Sequence, residues 1–496
     1  MRSLLWFLAL GGQPGVSRSR HFPDDVGPQL PLEHSLEKNL NGIVGDDWVI
    51  SDPGRLLAYE SDGLTAYRMP PTAVVLPKDT DEVSRVLQLL SKENVPVVPR
   101  GAGTGLSGGA LAGEGCVVVG TARMNRILEV DSENRLALVQ PGVINAHLTD
   151  AAAPFGLYYA PDPSSQSACT LGGNVAENSG GPHCLKYGVT SRYVTGLTIV
   201  TYEGQVSRIG GFGRESGGYD LVGLFVGSEG CFGIATEIEV RLLPKPESVR
   251  TLLGIFDTVE DAGRAVTRII ADGLLPAALE IVDGATIQAV EASVYAGGYP
   301  IDAEAALVIE FDGVEAGLGA DVERSAAHCR EAGARDVRTA ESEQERMLLW
   351  QGRKKAFGAM GRIATDLLVQ DATVPRSLLP DVLARISEIA ERYDLKVANV
   401  FHAGDGNLHP NILFDRSDAD ELARVELASK DIMALCVEVG GTITGEHGVG
   451  LDKRSYMSLV HSPQELEAMR RVKYVFDPRG KMNPGKVLPD PMVTAP

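Results

Sequence analysis

Twelve residues constrain this chain more than any others: Pro99-Arg-Gly-Ala-Gly-Thr-Gly-Leu-Ser-Gly-Gly-Ala110, directly after the apolar strand signal Val95 to Val98. A loop with so little side chain lets backbone N–H groups converge on an anion, as a pyrophosphate requires. Arg100, Gly101, Ala102, Gly103, Thr104, Gly105, Ser107 and Gly108 are its candidate contacts. Gly103-x-Gly105-x-x-Gly108 also satisfies the dinucleotide fingerprint, but that fingerprint needs a helix opening at its last glycine. Here Gly113 and Gly115 follow, then the strand signal Val117 to Val119. The nicotinamide reading therefore lacks its structural context.

Two further segments have the same texture. One runs from Pro161 to Gly181 and on through Lys186-Tyr-Gly-Val189; the other is Gly227-Ser-Glu-Gly-Cys-Phe-Gly-Ile234. The first offers Pro161, Asp162, Ser165, Gly172, Gly173 and Asn174, then Glu177, Asn178, Gly180, Gly181, Tyr187 and Gly188. The second offers Glu229, Gly230, Gly233 and Ile234, and Asn483 near the C-terminus is one more candidate. Any one such loop reads equally well as a tight turn. Three in one region suit a long, extended ligand better than three independent turns.

The chain of 496 residues is long enough for two or three domains, and its composition is that of an ordinary globular protein. A net charge of -20 argues against a nucleic-acid surface, which needs clustered Lys and Arg. An anionic substrate then needs a local cationic site. The six cysteines are scattered without C-x-x-C spacing, which excludes an obvious zinc ribbon or iron–sulfur run and suits free thiols in a reducing cytoplasm. Arg2 and the apolar stretch Leu4 to Leu10 mimic a signal peptide only weakly, being too short to span a bilayer and lacking an A-x-A site. Residues 1–45 are expected to be a poorly ordered extension.

From Val49 to Pro246 short Val/Ile/Leu runs predict strands, with one clear helix at Asp79 to Glu93, capped by Asp79 and Glu82. Beyond Pro246 helical periods appear at Val259 to Ala271, Asp321 to Ala332, Pro380 to Tyr393 and Asp418 to Val439, with strands between them. The expected fold class is α+β, with domains at 46–245 and 246–445 and a closing segment at 446–496.

The second domain carries a histidine constellation. Val397 to Phe401 and Leu408 to Phe414 flank Gly404-Asp-Gly-Asn407, and Asp-Gly is a two-residue hairpin signal. With Asp405 and Gly406 as the loop, His402 faces His409 directly with Cβ atoms ~5 Å apart, and Asn411 shares that face. Two such imidazoles can share one divalent ion at about 2.0–2.1 Å. Glu446, in Gly440-Gly-Thr-Ile-Thr-Gly-Glu-His-Gly-Val-Gly450, would complete a site of two histidines and one carboxylate, with His447 placed to take a proton. Arg353, in Trp350-Gln-Gly-Arg-Lys-Lys-Ala-Phe357, offers a guanidinium fork for a carboxylate, and its bland alternative is a solvated helix residue.

These loops and motifs resemble the FAD-linked oxidase family, with the vanillyl-alcohol-oxidase (PCMH) type of FAD domain, from about Tyr59 to Pro489. The likeness is closest to its glycolate oxidase branch, through 99–110, 161–189 and the two C-terminal motifs. It implies FAD lying extended between two α+β subdomains under a cap domain. Ser107 stands where some members attach FAD covalently, so non-covalent FAD is expected. The positions matching His402, His409 and Glu446 bind a divalent metal (Zn, Mn or Fe) in such dehydrogenases, and the one matching His447 is the base. Relatives acting on dicarboxylates add a lysine where Val369 and Gln370 stand, which favours a small monocarboxylate.

The implied reaction is oxidation of a small 2-hydroxy acid, glycolate to glyoxylate foremost, with Arg353 and Asn411 contacting substrate. The implied setting is a cytoplasmic complex, peripheral to the inner face of the membrane, with a second flavin-type subunit and an iron–sulfur subunit. Two enzymatic rivals are a stand-alone D-lactate dehydrogenase serving a cytochrome or quinone, and a metal-dependent hydrolase with merely structural glycine loops. A non-catalytic FAD-binding subunit is a third, against which the intact Glu446–His447 pair argues.

Overall fold

Strands Ala73–Val75 and Val97–Arg100 both lie parallel to Val117–Gly120, and a parallel pair needs a crossover. Helix Thr80–Lys92 provides it. Asp79 caps this helix by accepting from Glu82 N at 2.9 Å, and Val83, Val86, Leu87 and Leu90 are fully buried against the sheet. The computed structural model describes residues 31–64, 66–211 and 217–490, so Leu4 to Leu10 lie outside the described residues.

One expectation for the N-terminal extension is corrected. His34–Val44 is a helix whose Leu36, Leu40 and Val44 enter the same core as Val83 and Leu87, and burial of that apolar face orders it. The third element of the first domain is a five-stranded antiparallel sheet, in which Ile234–Arg241 lies between Leu136–Val139 and Val194–Val200.

A nine-stranded sheet opens with Ser248–Phe256. Its helix Val259–Ala271 has the bounds that the apolar period predicts. With Leu379–Arg392 and Ala419–Glu438 it covers one face, while Gly284–Glu291 and Glu343–Lys354 cover the other. The architecture is α+β. After Gly440 the chain returns to the first domain, where Asn483 N donates to Val97 O at 2.7 Å. All six cysteines are unpaired. Among the described residues no helix is long and apolar enough to cross a membrane.

Candidate functional site

The three glycine-rich segments and the histidine constellation face one cavity of about 540 Å³. From the first loop Arg100, Gly101, Ala102, Gly103, Thr104 and Gly105 line it. No helix follows that loop, as the sequence context requires. Ser165, Gly172, Gly173, Asn174, Glu177 and Gly180 form a second wall, and Glu229, Gly230, Gly233 and Ile234 a third. Among the described residues, no backbone N–H from Ala102 to Leu106 is bonded within the protein. A row of free donors on a strand-end loop suits a pyrophosphate, so these residues fit FAD.

Nine expected cofactor residues lie outside the cavity walls. Ser107 is fully buried and its carbonyl accepts from Leu451 N and Asp452 N, while Gly108 packs on Leu451. Pro161 O accepts from Asn145, and Gly181 packs on Asp162. Asp162 bonds His183 within its own domain and lies 3.5 Å from Lys354 of the second, while Tyr187 donates to Asp312 of the second, because their chain segment runs between the domains. Asn178 and Gly188 end short helices, and Asn483 Nδ2 bonds Gly109 O and Glu229 O. These nine shape the walls from behind.

The hairpin bearing the histidines differs from its expected form. His402 pairs with Asn407, so the turn has four residues rather than two. Its backbone is claimed from elsewhere: Gly404 N donates to Leu279 O and Val374 N to Gly406 O. Those tertiary bonds override the local two-residue turn. The shift is two residues, an even number, so every side chain keeps its face. His409 therefore sits diagonal to His402, with ring centroids 5.2 Å apart and planes at 87°.

Both rings are oriented by a second partner. His402 Nδ1 lies 2.8 Å from Glu280 Oε1, and His409 Nδ1 lies 3.2 Å from Gln370 O. Each Nε2 is thereby turned toward Glu446 Oε1, at 3.0 Å and 3.3 Å. One ligand atom from each of His402, His409 and Glu446 falls within 4.8 Å of the others. A hydrogen-bonded far nitrogen and a free near one is the usual dress of a metal-binding histidine. Burial works to lower the His402 pKa, yet Glu280 and Glu446 together hold it well above the ordinary value. Excess negative charge around that ring suits a cation, so the donor set fits a divalent ion.

His447 stacks on His409 at 4.8 Å between centroids. Burial, aided by His409 and Lys453, pushes its pKa down to about 4, so the ring is neutral and able to accept a proton. The loop that carries it is held by two buried carboxylates. Asp371 accepts from the backbone N–H of Gly445, Glu446 and His447, and Glu229 from Val449 and Gly450. The intervening Gly448 N–H goes to Thr444 Oγ1.

Arg353 is buried, not solvated. Its Nε and one terminal nitrogen hold Glu280 at 2.7 and 2.6 Å, while its other terminal nitrogen, buried at the cavity, has no partner. Asn411 does not line the cavity. Its Nδ2 donates to the carbonyls of Ala398 and His409, so it stands behind His409. Glu280, Asp371 and Lys453 (3.1 Å from Asp371) are site residues that sequence reasoning missed.

The chain matches the families described as "FAD binding domain" over residues 71–210 and "FAD linked oxidases, C-terminal domain" over 245–487. It is 51% identical over 434 residues to "Glycolate oxidase subunit GlcD" of Escherichia coli (strain K12), covering 88% of this chain and 87% of that one. It is 35% identical over 416 residues to "D-lactate dehydrogenase" of Archaeoglobus fulgidus, covering 84% and 91%. A solved structure of p-cresol methylhydroxylase with substrate bound shares the fold, with a TM-score of 0.76 at 16% identity over 91% of this chain and 96% of that one. The free donor row of the first loop and the match to these relatives over most of both chains lead to one assignment: the chain belongs to the FAD-linked oxidases.

Proposed function

We propose that this protein oxidises a small 2-hydroxy acid, glycolate to glyoxylate, as the flavin subunit of an oxidase complex. One observation carries the reading. The FAD cradle and Arg353, His402, His409, Glu446 and His447 face a single cavity. A hydrolase with idle glycine loops has no reason to join the two, and the family membership runs against it. The cradle would hold FAD non-covalently, and FAD bound there would supply the acceptor for the hydride of the substrate's α-carbon.

The unpartnered nitrogen of Arg353 takes the substrate carboxylate, while Glu280 fixes the rest of the guanidinium. His402, His409 and Glu446 would hold a divalent ion (Zn, Mn or Fe), which would lower the pKa of the substrate hydroxyl. Neutral His447 removes the hydroxyl proton. Leu367, Val369 and Phe357 give part of the pocket an apolar wall, which suits the hydrogen or methyl of a monocarboxylate, and Lys354, which also lines it, already faces Asp162 at 3.5 Å. Asn411 holds the backbone at His409 and thereby positions that ring.

The Escherichia coli relative is a glycolate oxidase subunit, which supports a complex and no more; that its other members are a second flavin-type subunit and an iron–sulfur subunit, in the cytoplasm at the membrane's inner face, is part of the proposal. D-Lactate is the second substrate to test, because a D-lactate dehydrogenase is also among the relatives.

The deciding experiment is an anaerobic spectrum of the purified protein before and after glycolate, then D-lactate. The flavin band is expected to bleach within one turnover on glycolate, and faster than on D-lactate. A flavin that bleaches with neither acid would sink the substrate assignment.

A further inference from the structure

Helix Leu171–Glu177 ends inside the cleft, and its last residue places there a carboxyl that the chemistry above does not use. Glu177 Oε1 lies against the first glycine loop, 2.9 Å from where a Cβ on Gly109 would stand. Its Oε2 fills the space that a Cβ on Gly448 would need, one residue beyond His447. Gly448 has φ +84°, so both its backbone and the packed carboxyl require glycine. Oε2 is buried and has no hydrogen-bond partner among the described residues.

The charged groups facing Glu177 are Glu229, Asp62 and Lys453. Lys453 is already engaged with Asp371. Glu229 receives two backbone N–H bonds from Val449 and Gly450, and Glu177 receives none. When two carboxyls share a dry site, the one with donors keeps the charge and the other keeps a proton. In agreement, burial first and Glu229 second push the Glu177 carboxyl well above its ordinary range.

We propose that Glu177 is a neutral acid whose O–H donates a hydrogen bond to the ring of bound FAD, at the end of the cleft where His447 stands. This rests on the reading of the cleft as an FAD site with its ring beside His447. The proton stays on Glu177. The substrate's hydride goes to the ring and its hydroxyl proton to His447, so no further proton or electron is required. What Glu177 alters is the charge balance: reduction adds negative charge to the ring, which a neutral donor stabilises and a carboxylate would oppose.

The test titrates the holoenzyme's flavin with dithionite against a reference dye, without any hydroxy acid, in wild type, Glu177→Gln and Glu177→Leu. The Gln variant, neutral and still a donor, is expected to keep the reduction equilibrium within about threefold of wild type. The Leu variant is expected to shift it toward oxidised flavin by at least tenfold, about 30 mV for a two-electron couple. A tenfold shift toward reduced flavin in Glu177→Gln would mean an ionised Glu177 and overturn the proposal. So would an unchanged potential in Glu177→Leu. If the Leu variant loses its FAD, the Gln comparison decides alone. Since no substrate is present, flavin that titrates as expected yet ignores glycolate would count against the substrate assignment only.

Discussion

Two glycine-rich loops meet at the candidate site, and they use the same composition in opposite ways. Among the described residues, the loop at 101–106 leaves its backbone N–H groups unpaired at the cavity, where a ligand can take them. The loop at 445–450 has every N–H bonded, five to the carboxylates Asp371 and Glu229 and one to Thr444. On the proposed reading the first binds by its backbone, whereas the second is bound by its backbone and would work through Glu446 and His447. Glycine density signals close backbone approach without saying what approaches.

The largest test of this contrast removes the second loop's anchor. Asp371→Asn is expected to keep FAD and lose turnover by about a hundredfold or more, since a 1 Å displacement of catalytic groups costs that much. The folded state should weaken as well, by about 3–5 kcal/mol, because Lys453 is left as an uncompensated buried charge. Absorbance for FAD, turnover on glycolate and a denaturant titration read the three effects. Full turnover in a folded, yellow Asp371→Asn protein would show that the loop needs no such anchor.

The reciprocal change strikes the first loop. A side chain at Gly101 would collide with Thr170 Oγ1, which caps the helix Leu171–Glu177. Gly101→Val is expected to cost about 1–3 kcal/mol through overpacking. If that cost falls on binding, FAD Kd weakens on the order of tenfold. Metal content, measured on the same protein, should stay at the wild-type level if the loops act separately.

Much of this contrast was legible in the sequence, because dense local signals survive folding. The glycine segments, the Asp79 cap and the helix Val259–Ala271 depend on neighbours within a few residues. The hairpin register was not legible, since its turn is set by Leu279 and Val374, remote along the chain. Tyr187 and Asp162 look like ligand contacts in the sequence because their partners across the domains, Asp312 and Lys354, emerge only when the domains meet. Glu280 leaves a usable signal in the sequence: an acid in the middle of the apolar run Ala278, Leu279, Ile281 and Val282, on the wholly buried strand that Asp283 ends. A fully buried carboxylate is rarely without a charged partner. Asp371 left a weaker one, and nothing local ties it to residues 445–447.

A third change, the least expected to touch turnover, concerns what holds the two loops' domains in register. His183, in the first domain, bridges Asp162 there and Glu310 on the cap strand Ala305–Gly313, at 2.8 and 3.1 Å. Burial works to lower its pKa, but Asp162 and Glu310 raise it from 6.5 to about 10. A proton bound more tightly in the folded chain contributes its full stability below pH 6.5, and the contribution is lost as pH rises through about 10. Glu310 has the opposite sense: held down to about 2, it contributes above its ordinary 4.5 and fails only in strong acid. Between pH 8 and 10.5 the wild-type Tm should therefore fall more than that of His183→Asn. At pH 7 that variant should already lie lower, by about 1.5–3 kcal/mol for the lost charged hydrogen bonds. Parallel Tm curves for the two proteins would mean that the bridge carries no proton, and that packing alone seats the cap over the cleft.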